Sequence, residues 1–208
     1  MKSIDALTKL KKLGQSFFKT SDASVCWQVP NAHASKILSR LMEAGQIAKI
    51  SRSLWAIGTA DPLEAAIHLS APQPSYISLQ TALFFHGIIS QIPTITYAVT
   101  TGRTRKINTS IGRISFHHVS PDFFFGFKVF GSKNILMAEP EKALIDILYL
   151  KPARSRLFQA LPEVTFSKEF SRKRAQKIVG TIHSCCRRTL AQNGLKKMIE
   201  EEHKKQWA

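Results

Sequence analysis

The stretch PNAHASKILSRLMEAGQIAKISRSLWAIG, Pro30 to Gly58, decides how the first part of this 208-residue chain folds. Pro30 cannot continue a preceding helix, and Asn31 after it is a residue type that caps a new one. The spacing predicts a helix from there to about Ala44. At 100° per residue, Ala34, Ile37, Leu38 and Leu41 fall in one arc, and Ala32, Lys36, Ser39 and Glu43 fall opposite, flanked by His33, Ser35 and Arg40. Gly45 ends the helix. Gln46 to Ile57 then reads as two short strands, Ile47 to Ile50 and Leu54 to Ile57, joined at Ser51, Arg52 and Ser53.

Two helices are predicted upstream. Ile4, Leu7, Leu10 and Leu13 recur at helical spacing before Gly14, and Ser21 to Gln28 is predicted as a second helix capped by Ser21 or Asp22, with Val25 and Trp27 partly buried. Three helices followed by a hairpin within residues 1–59 is the order of a winged helix-turn-helix. A helix fits the DNA major groove, and a basic hairpin tip beside it reaches the backbone or minor groove. Asn31, His33, Ser35, Lys36, Ser39 and Arg40 are therefore the candidate groove residues, with Lys49 and Arg52 on the wing. The same module also serves in protein recognition, where its exposed cations are simply solvated.

Charge supports a polyanionic partner, because 30 Lys and Arg stand against 14 Asp and Glu, a formal net charge of +16. The excess is uneven: +4 in residues 1–75, +3 in 76–150 and +9 in 151–208. With 44% apolar residues the chain has material for a packed core, which excludes wholesale disorder. No secretory signal or spanning segment is evident, and Cys26, Cys185 and Cys186 form no CxxC pair. A cytoplasmic protein with reduced thiols is expected.

After the hairpin, Asp61-Pro62 opens a short helix that APQPS, Ala71 to Ser75, breaks. In YISLQTALFFHG, Tyr76 to Gly87, Ser78 caps a helix bearing Leu79, Leu83 and Phe84. Strands are predicted at Thr94 to Thr100, Arg113 to Val119 and Phe127 to Phe130. MAEPEKALIDILYL, Met137 to Leu150, is helical from Pro140, with Ala143, Leu144, Ile147 and Leu148 inward and Glu141, Lys142 and Asp146 mostly outward. The expected class is α+β: the winged helix followed by a mixed α/β domain, residues 60–208, that ends in basic helices.

Arg103, Arg105, Lys106 and Arg113 lie in a Gly- and Thr-containing loop or hairpin, TTGRTRKINTSIGRISFHHV, Thr100 to Val119. That composition suits phosphate, and equally a strand edge kept from aggregating by charge. His86, His117 and His118 lack the carboxylates or thiolates of a metal set, so structural histidines are expected and no metal or cofactor is assigned. Glu139, Glu141 and Lys142 invite a divalent-metal nuclease reading, but acidic groups at a helix start are accounted for by its dipole. No nucleotide-binding or hydrolase motif is present. The chain is read as a non-enzyme.

Beyond Leu150 a short helix is expected in Pro152 to Pro162, carrying Leu157, Phe158 and Leu161. A longer one follows from about Ser167, interrupted at Gly180, and after a break at Asn193-Gly194 a last helix runs from Leu195 to Gln206. Arg172, Lys173, Arg174 and Lys177 are candidates for phosphate or partner contact. Three uses of this region stay open: contact with DNA phosphates, docking to an acidic protein face or RNA, and a solvated capping bundle. A membrane-surface role is the weakest fit, because the apolar stripe is interrupted and poor in aromatics.

Taken in order, the winged-helix pattern, YISLQTALFFHG, TTGRTRKINTSIGRISFHHV and MAEPEKALIDILYL resemble the AbiEi family, the antitoxins of bacterial AbiE abortive-infection, type IV toxin-antitoxin systems. The resemblance covers roughly residues 1–150. It implies an autorepressor whose N-terminal winged helix binds promoter repeats, and a C-terminal domain that opposes a nucleotidyltransferase-like toxin. Under the same resemblance the alternative is a protein- or RNA-interaction antitoxin module with only weak DNA binding.

Overall fold

The computed structural model describes residues 3–131, 133–151, 163–166 and 170–206. Among these the chain is a mixed α+β protein with eight α-helices and two sheets. The first sheet is built from β1 (Phe17–Lys19), β2 (Ile47–Lys49) and β3 (Leu54–Ile57), all antiparallel, in the order β1-β3-β2. Helices α1 (Ser3–Lys11), α2 (Thr20–Trp27) and α3 (Asn31–Glu43) cover one face of it.

Several local expectations are corrected here. β1 is an additional strand whose two phenylalanines alternate: Phe18 points to the helices with Trp55 and Ile47, and Phe17 to the opposite side with Leu54 and Ala56. Ser21 and Asp22 are not the N-cap of α2. Lys19 holds that position, and its backbone N–H donates to the Asp22 carboxylate at 2.7 Å. Val25 is 78% exposed and Ile4 73% exposed, while Ala23, Ala6 and Leu10 take the buried positions. Trp27 fixes the phase, because its Nε1–H donates to the Ala6 carbonyl at 3.1 Å and draws α1 across α2. Asn31 is the first helical residue of α3 instead of its cap. The Pro30 carbonyl accepts from His33 and Ala34, both at 2.9 Å.

The second sheet has six strands in the order β6-β7-β5-β4-β9-β8. These are β4 (Ser75–Ile77), β5 (Ile95–Thr100), β6 (Arg105–Thr109), β7 (Gly112–His118), β8 (Phe127–Phe130) and β9 (Ile135–Ala138). β4 and β9, which sequence patterning leaves out, lie side by side within the sheet and pair in parallel, Ile77 opposite Met137. Helix α4 (Pro62–Ser70) opens as expected, with the Asp61 carboxylate accepting from Leu63 N–H at 2.9 Å. Ser78 precedes α5 (Leu79–Phe85), but its hydroxyl does not cap that helix and donates to Asp146 instead.

Helix α6 (Pro140–Leu150) gives the largest correction. Glu141, Lys142 and Asp146, expected on an outward face, are all buried, Lys142 and Asp146 completely. The helix lies between α5, the sheet and the C-terminal helices, so it has no solvent side for them. Lys142 forms an ion pair with Asp146, whose other oxygen accepts from Ser78 Oγ at 2.7 Å and Tyr76 Oη at 3.0 Å. The ammonium also lies 3.7 Å from the ring centre of Phe123, with Phe125 and Tyr76 farther off. Burial holds Lys142 below and Asp146 above their ordinary pKa values, each countered by the other's charge.

The C-terminal expectations also change. Helix α7 (Arg172–Gly180) stops near Gly180, and α8 (Cys185–Gln206) runs unbroken through Asn193-Gly194. Gly194 is a contact point, not a break: a Cβ there would come 2.7 Å from Leu148 Cδ2 of α6. The expected short helix at 152–162 and the start near Ser167 lie outside the described residues. The main core gathers both sheets' facing side chains with α4 to α8, so the first sheet is buried on both of its faces.

Candidate nucleic-acid interface

The turn between α2 and α3 is three residues long. Gln28 takes a left-handed conformation at φ 55°, so that its N–H reaches the Val25 carbonyl and Val29 N–H the Ser24 carbonyl, both at 3.1 Å. Ser24 Oγ donates back to the Val29 carbonyl at 2.6 Å, and Pro30 then starts α3. With Ala34, Ile37, Leu38 and Leu41 anchored in the core, helical period decides what faces out. Asn31, His33, Ser35, Lys36 and Arg40 are exposed, and Ser39 is half-buried. Lys36 and Arg40 have no carboxylate partner among the described residues, which leaves both charges available to an anion.

Beside α3, the hairpin of β2 and β3 closes through Ile50 N–H and Ser51 N–H, which both donate to the Leu54 carbonyl. Arg52 is exposed at this tip. Lys49 is exposed too, its ammonium 5.3 Å from the Trp55 ring centre, a contact that aligns the side chain without neutralising it.

The Arg103 to Arg113 segment proves to be a hairpin, β6 and β7, and the structure divides its four cations. At the turn, Ser110 Oγ donates to the Lys49 carbonyl at 2.8 Å, which joins this end of the second sheet to β2. Arg113, paired with Asn108 next to that turn, belongs to the same neighbourhood as Lys49. Nothing in the sequence signals this junction, since Ser110 and Lys49 are 61 residues apart. Arg105 is taken up elsewhere: its guanidinium donates to the Leu69 carbonyl at 2.6 Å and lies over Phe116. Arg103 and Lys106 are exposed.

The C-terminal cations divide in the same way. Arg174 pairs with buried Glu141 at 3.0 Å, and Ser171 N–H donates to the same carboxylate at 2.6 Å. Arg172 pairs with Glu202 at 3.4 Å. These two arginines tie α7 to α6 and α8 and are withdrawn from the set expected to meet phosphate. Lys173 and Lys177 keep an outward position.

The three histidines are placed by hydrogen bonds. His86 donates to the Ala138 carbonyl at 2.8 Å, and His118 Nδ1 meets the Thr101 and Gly102 carbonyls. His117 shares a hydrogen bond with Ser115 Oγ at 3.0 Å, and burial, reinforced by Lys106, lowers its pKa to about 4. Among the described residues no three His, Cys, Asp or Glu side chains are grouped to hold a metal ion. Glu139 and Glu141, the carboxylates of the nuclease reading, point to different cations, Lys128 and Arg174. All three cysteines are free thiols, and no helix among the described residues is long and apolar enough to cross a membrane. The chain matches no protein-family model, and no curated protein matches it either.

Proposed function

We propose that this chain is a DNA-binding transcriptional autorepressor and antitoxin. Residues 1–59 act as a winged helix-turn-helix on promoter repeats, and residues 60–208 oppose a nucleotidyltransferase-like toxin. One observation supports the DNA-binding half above others: Lys36 and Arg40, without a carboxylate partner among the described residues, stand on the outer face of α3, which follows α2 after a tight turn, with Arg52 on the adjacent hairpin tip. That arrangement suits base edges in the major groove and phosphates beside it. The antitoxin half rests on the family resemblance of the sequence, and a cytoplasmic setting on the expectation of reduced thiols at Cys26, Cys185 and Cys186.

The test is operator binding by the full chain. Lys36→Ala and Arg40→Ala, measured by fluorescence anisotropy on a fragment of the protein's own promoter, should each weaken binding, with a base-reading Arg accounting for about 1–3 kcal/mol. Unchanged affinity in both variants refutes the recognition face. Antitoxicity is tested with the double variant co-expressed with the product of the neighbouring gene. The full chain is used because Phe17, Leu54 and Ala56 belong to the main core, which a chain starting at residue 60 would leave uncovered. Rescue by the double variant separates antitoxicity from DNA binding.

A further inference from the structure

The chain leaves β5 at Thr100 and enters β6 at Arg105 on the far side of β7, so residues 101–104 cross over the C-terminal end of β7. β5 and β7 are parallel, with Thr100 opposite His118, and both end at this crossing. The space outside the carboxyl ends of parallel strands is where open α/β sheets take their ligands. A hollow of about 420 Å³ opens there, between the crossing, Gln73 and His118.

The local hydrogen bonds leave donors turned toward that hollow and no carboxylate in its wall. His118 Nδ1 lies 3.1 Å from the Thr101 carbonyl and 2.9 Å from the Gly102 carbonyl. Both are acceptors, so Nδ1 carries a proton and the ring is held with Nε2 outward. Thr104 Oγ1 accepts from His118 N–H at 3.0 Å, which leaves its own hydrogen to donate. Gly102 lets Gln73 come close, since a Cβ there would stand 3.0 Å from Gln73 Cγ. Thr101 Oγ1 donates to Gln73 Oε1 at 3.4 Å, so the amide NH₂ of Gln73 is the group left over. Arg103 is exposed and has no carboxylate partner among the described residues, unlike Arg105, whose guanidinium is taken by the Leu69 carbonyl.

We infer that this hollow binds a phosphomonoester, with its phosphate held by Arg103, Gln73, Thr104 and His118. A guanidinium fork matches two phosphate oxygens, and the amide and hydroxyl add neutral donors. A monoester has three terminal oxygens and one exchangeable proton near neutral pH, which His118 Nε2 and an oxygen can share. A backbone diester offers two such oxygens and no proton, so it fills the set less completely. The hollow is also larger than a phosphate group alone, which leaves room for the esterified part. The site lies outside residues 1–59 and does not rest on the DNA-binding reading.

The experiment follows amide shifts of the full ¹⁵N-labelled chain on titration with phenyl phosphate, inorganic phosphate and dimethyl phosphate at one ionic strength. Phenyl phosphate should give saturable shifts at Gln73, residues 101–104 and His118. Dimethyl phosphate should bind at least roughly tenfold more weakly. Arg103→Gln removes the fork, whereas His118→Asn keeps a side-chain donor for the two carbonyls and removes only the outward nitrogen. Each should weaken phenyl phosphate roughly tenfold. Inorganic phosphate should shift the same amides: weaker binding than the ester assigns a larger ligand, and equal or tighter binding assigns free phosphate. Lys36→Ala and Arg40→Ala should leave all of this in place, so failure of promoter binding and failure of this site are read separately. Absence of saturable shifts, or affinity unchanged in either Arg103→Gln or His118→Asn, overturns the proposal, because the net charge of +16 then accounts for any attraction. Equal affinity for dimethyl phosphate also overturns it, since the hollow then answers to a nucleic-acid backbone.

Discussion

Replacing Asp146 by Ala separates two readings of α6 by size of effect. If Lys142 and Asp146 were an exposed i,i+4 pair on an outward face, as helical periodicity predicts, the loss would be about 0.3–0.5 kcal/mol. In the structure both are fully buried, and removing the carboxylate leaves an ammonium facing three aromatic rings with no anion. Breaking a buried pair in this way costs about 3–5 kcal/mol. Tyr76 Oη and Ser78 Oγ also lose their acceptor, adding about 1 kcal/mol or more for each that stays unpaired. The assay is urea unfolding at pH 7 followed by circular dichroism, for Asp146→Ala, Lys142→Met and the double variant Lys142→Met with Asp146→Asn. The double variant removes both charges and keeps an oxygen for the two hydroxyls, so it should recover much of the single-variant loss. Single losses below about 1 kcal/mol refute the buried-pair account.

Acid should destabilise the protein through His117. Its folded pKa of about 4 lies below the ordinary 6.5, so the neutral ring's stabilisation is complete above pH 6.5 and lost as pH falls through 4. The total is about 3 kcal/mol, read as the difference in pH-dependent unfolding between the parent and His117→Asn. Gly194→Val should destabilise by about 1–3 kcal/mol through collision with Leu148, and Leu148→Ala introduced alongside should relieve the clash. Arg174→Ala should lower stability by about 1–3 kcal/mol by taking the guanidinium from Glu141, which among the described residues then keeps the Ser171 N–H. It should leave the salt dependence of DNA binding unchanged. Lys173→Ala or Lys177→Ala, where it removes a phosphate contact, should flatten that dependence by about 0.9 log unit.

The N-terminal module was the most legible part of the chain. Its local signals agree with one another: Pro30 and Gly45 bracket α3, and the apolar arc of Ala34, Ile37, Leu38 and Leu41 is the arc that is buried. That agreement sets which side chains of α3 face outward from local sequence alone. The differences there are the added strand β1, N-caps displaced to Lys19 and Pro30, and shifts of phase at Val25 and Ile4, where a distant bond from Trp27 to Ala6 holds the two helices together. Candidate cations were less legible. Arg105, Arg172 and Arg174 look like Lys36 and Arg40 in sequence, and only their neighbours in space reveal that Leu69, Glu202 and Glu141 occupy them.

The sequence by itself determined the class, the charge and the elements whose signal is local. Caps, glycine stops and helical period act within a few residues, so spacing carries them where no distant partner intervenes, as at Asp61, Gly45 and the buried arc of α3, whereas Ser78 and Gly194 answer to Asp146 and Leu148. The tertiary structure decided what depends on distant partners. β4 and β9 are short runs that become strands through pairing partners, β4 along β5 and β9 along β8, and they meet each other, 60 residues apart, at Ile77 and Met137. Lys142 and Asp146 point inward because Tyr76, Ser78 and the phenylalanines around Phe123 are there to meet them. A charged residue on a helix defaults to solvent in any one-dimensional reading, since desolvation is costly and its compensation lies in residues far along the chain.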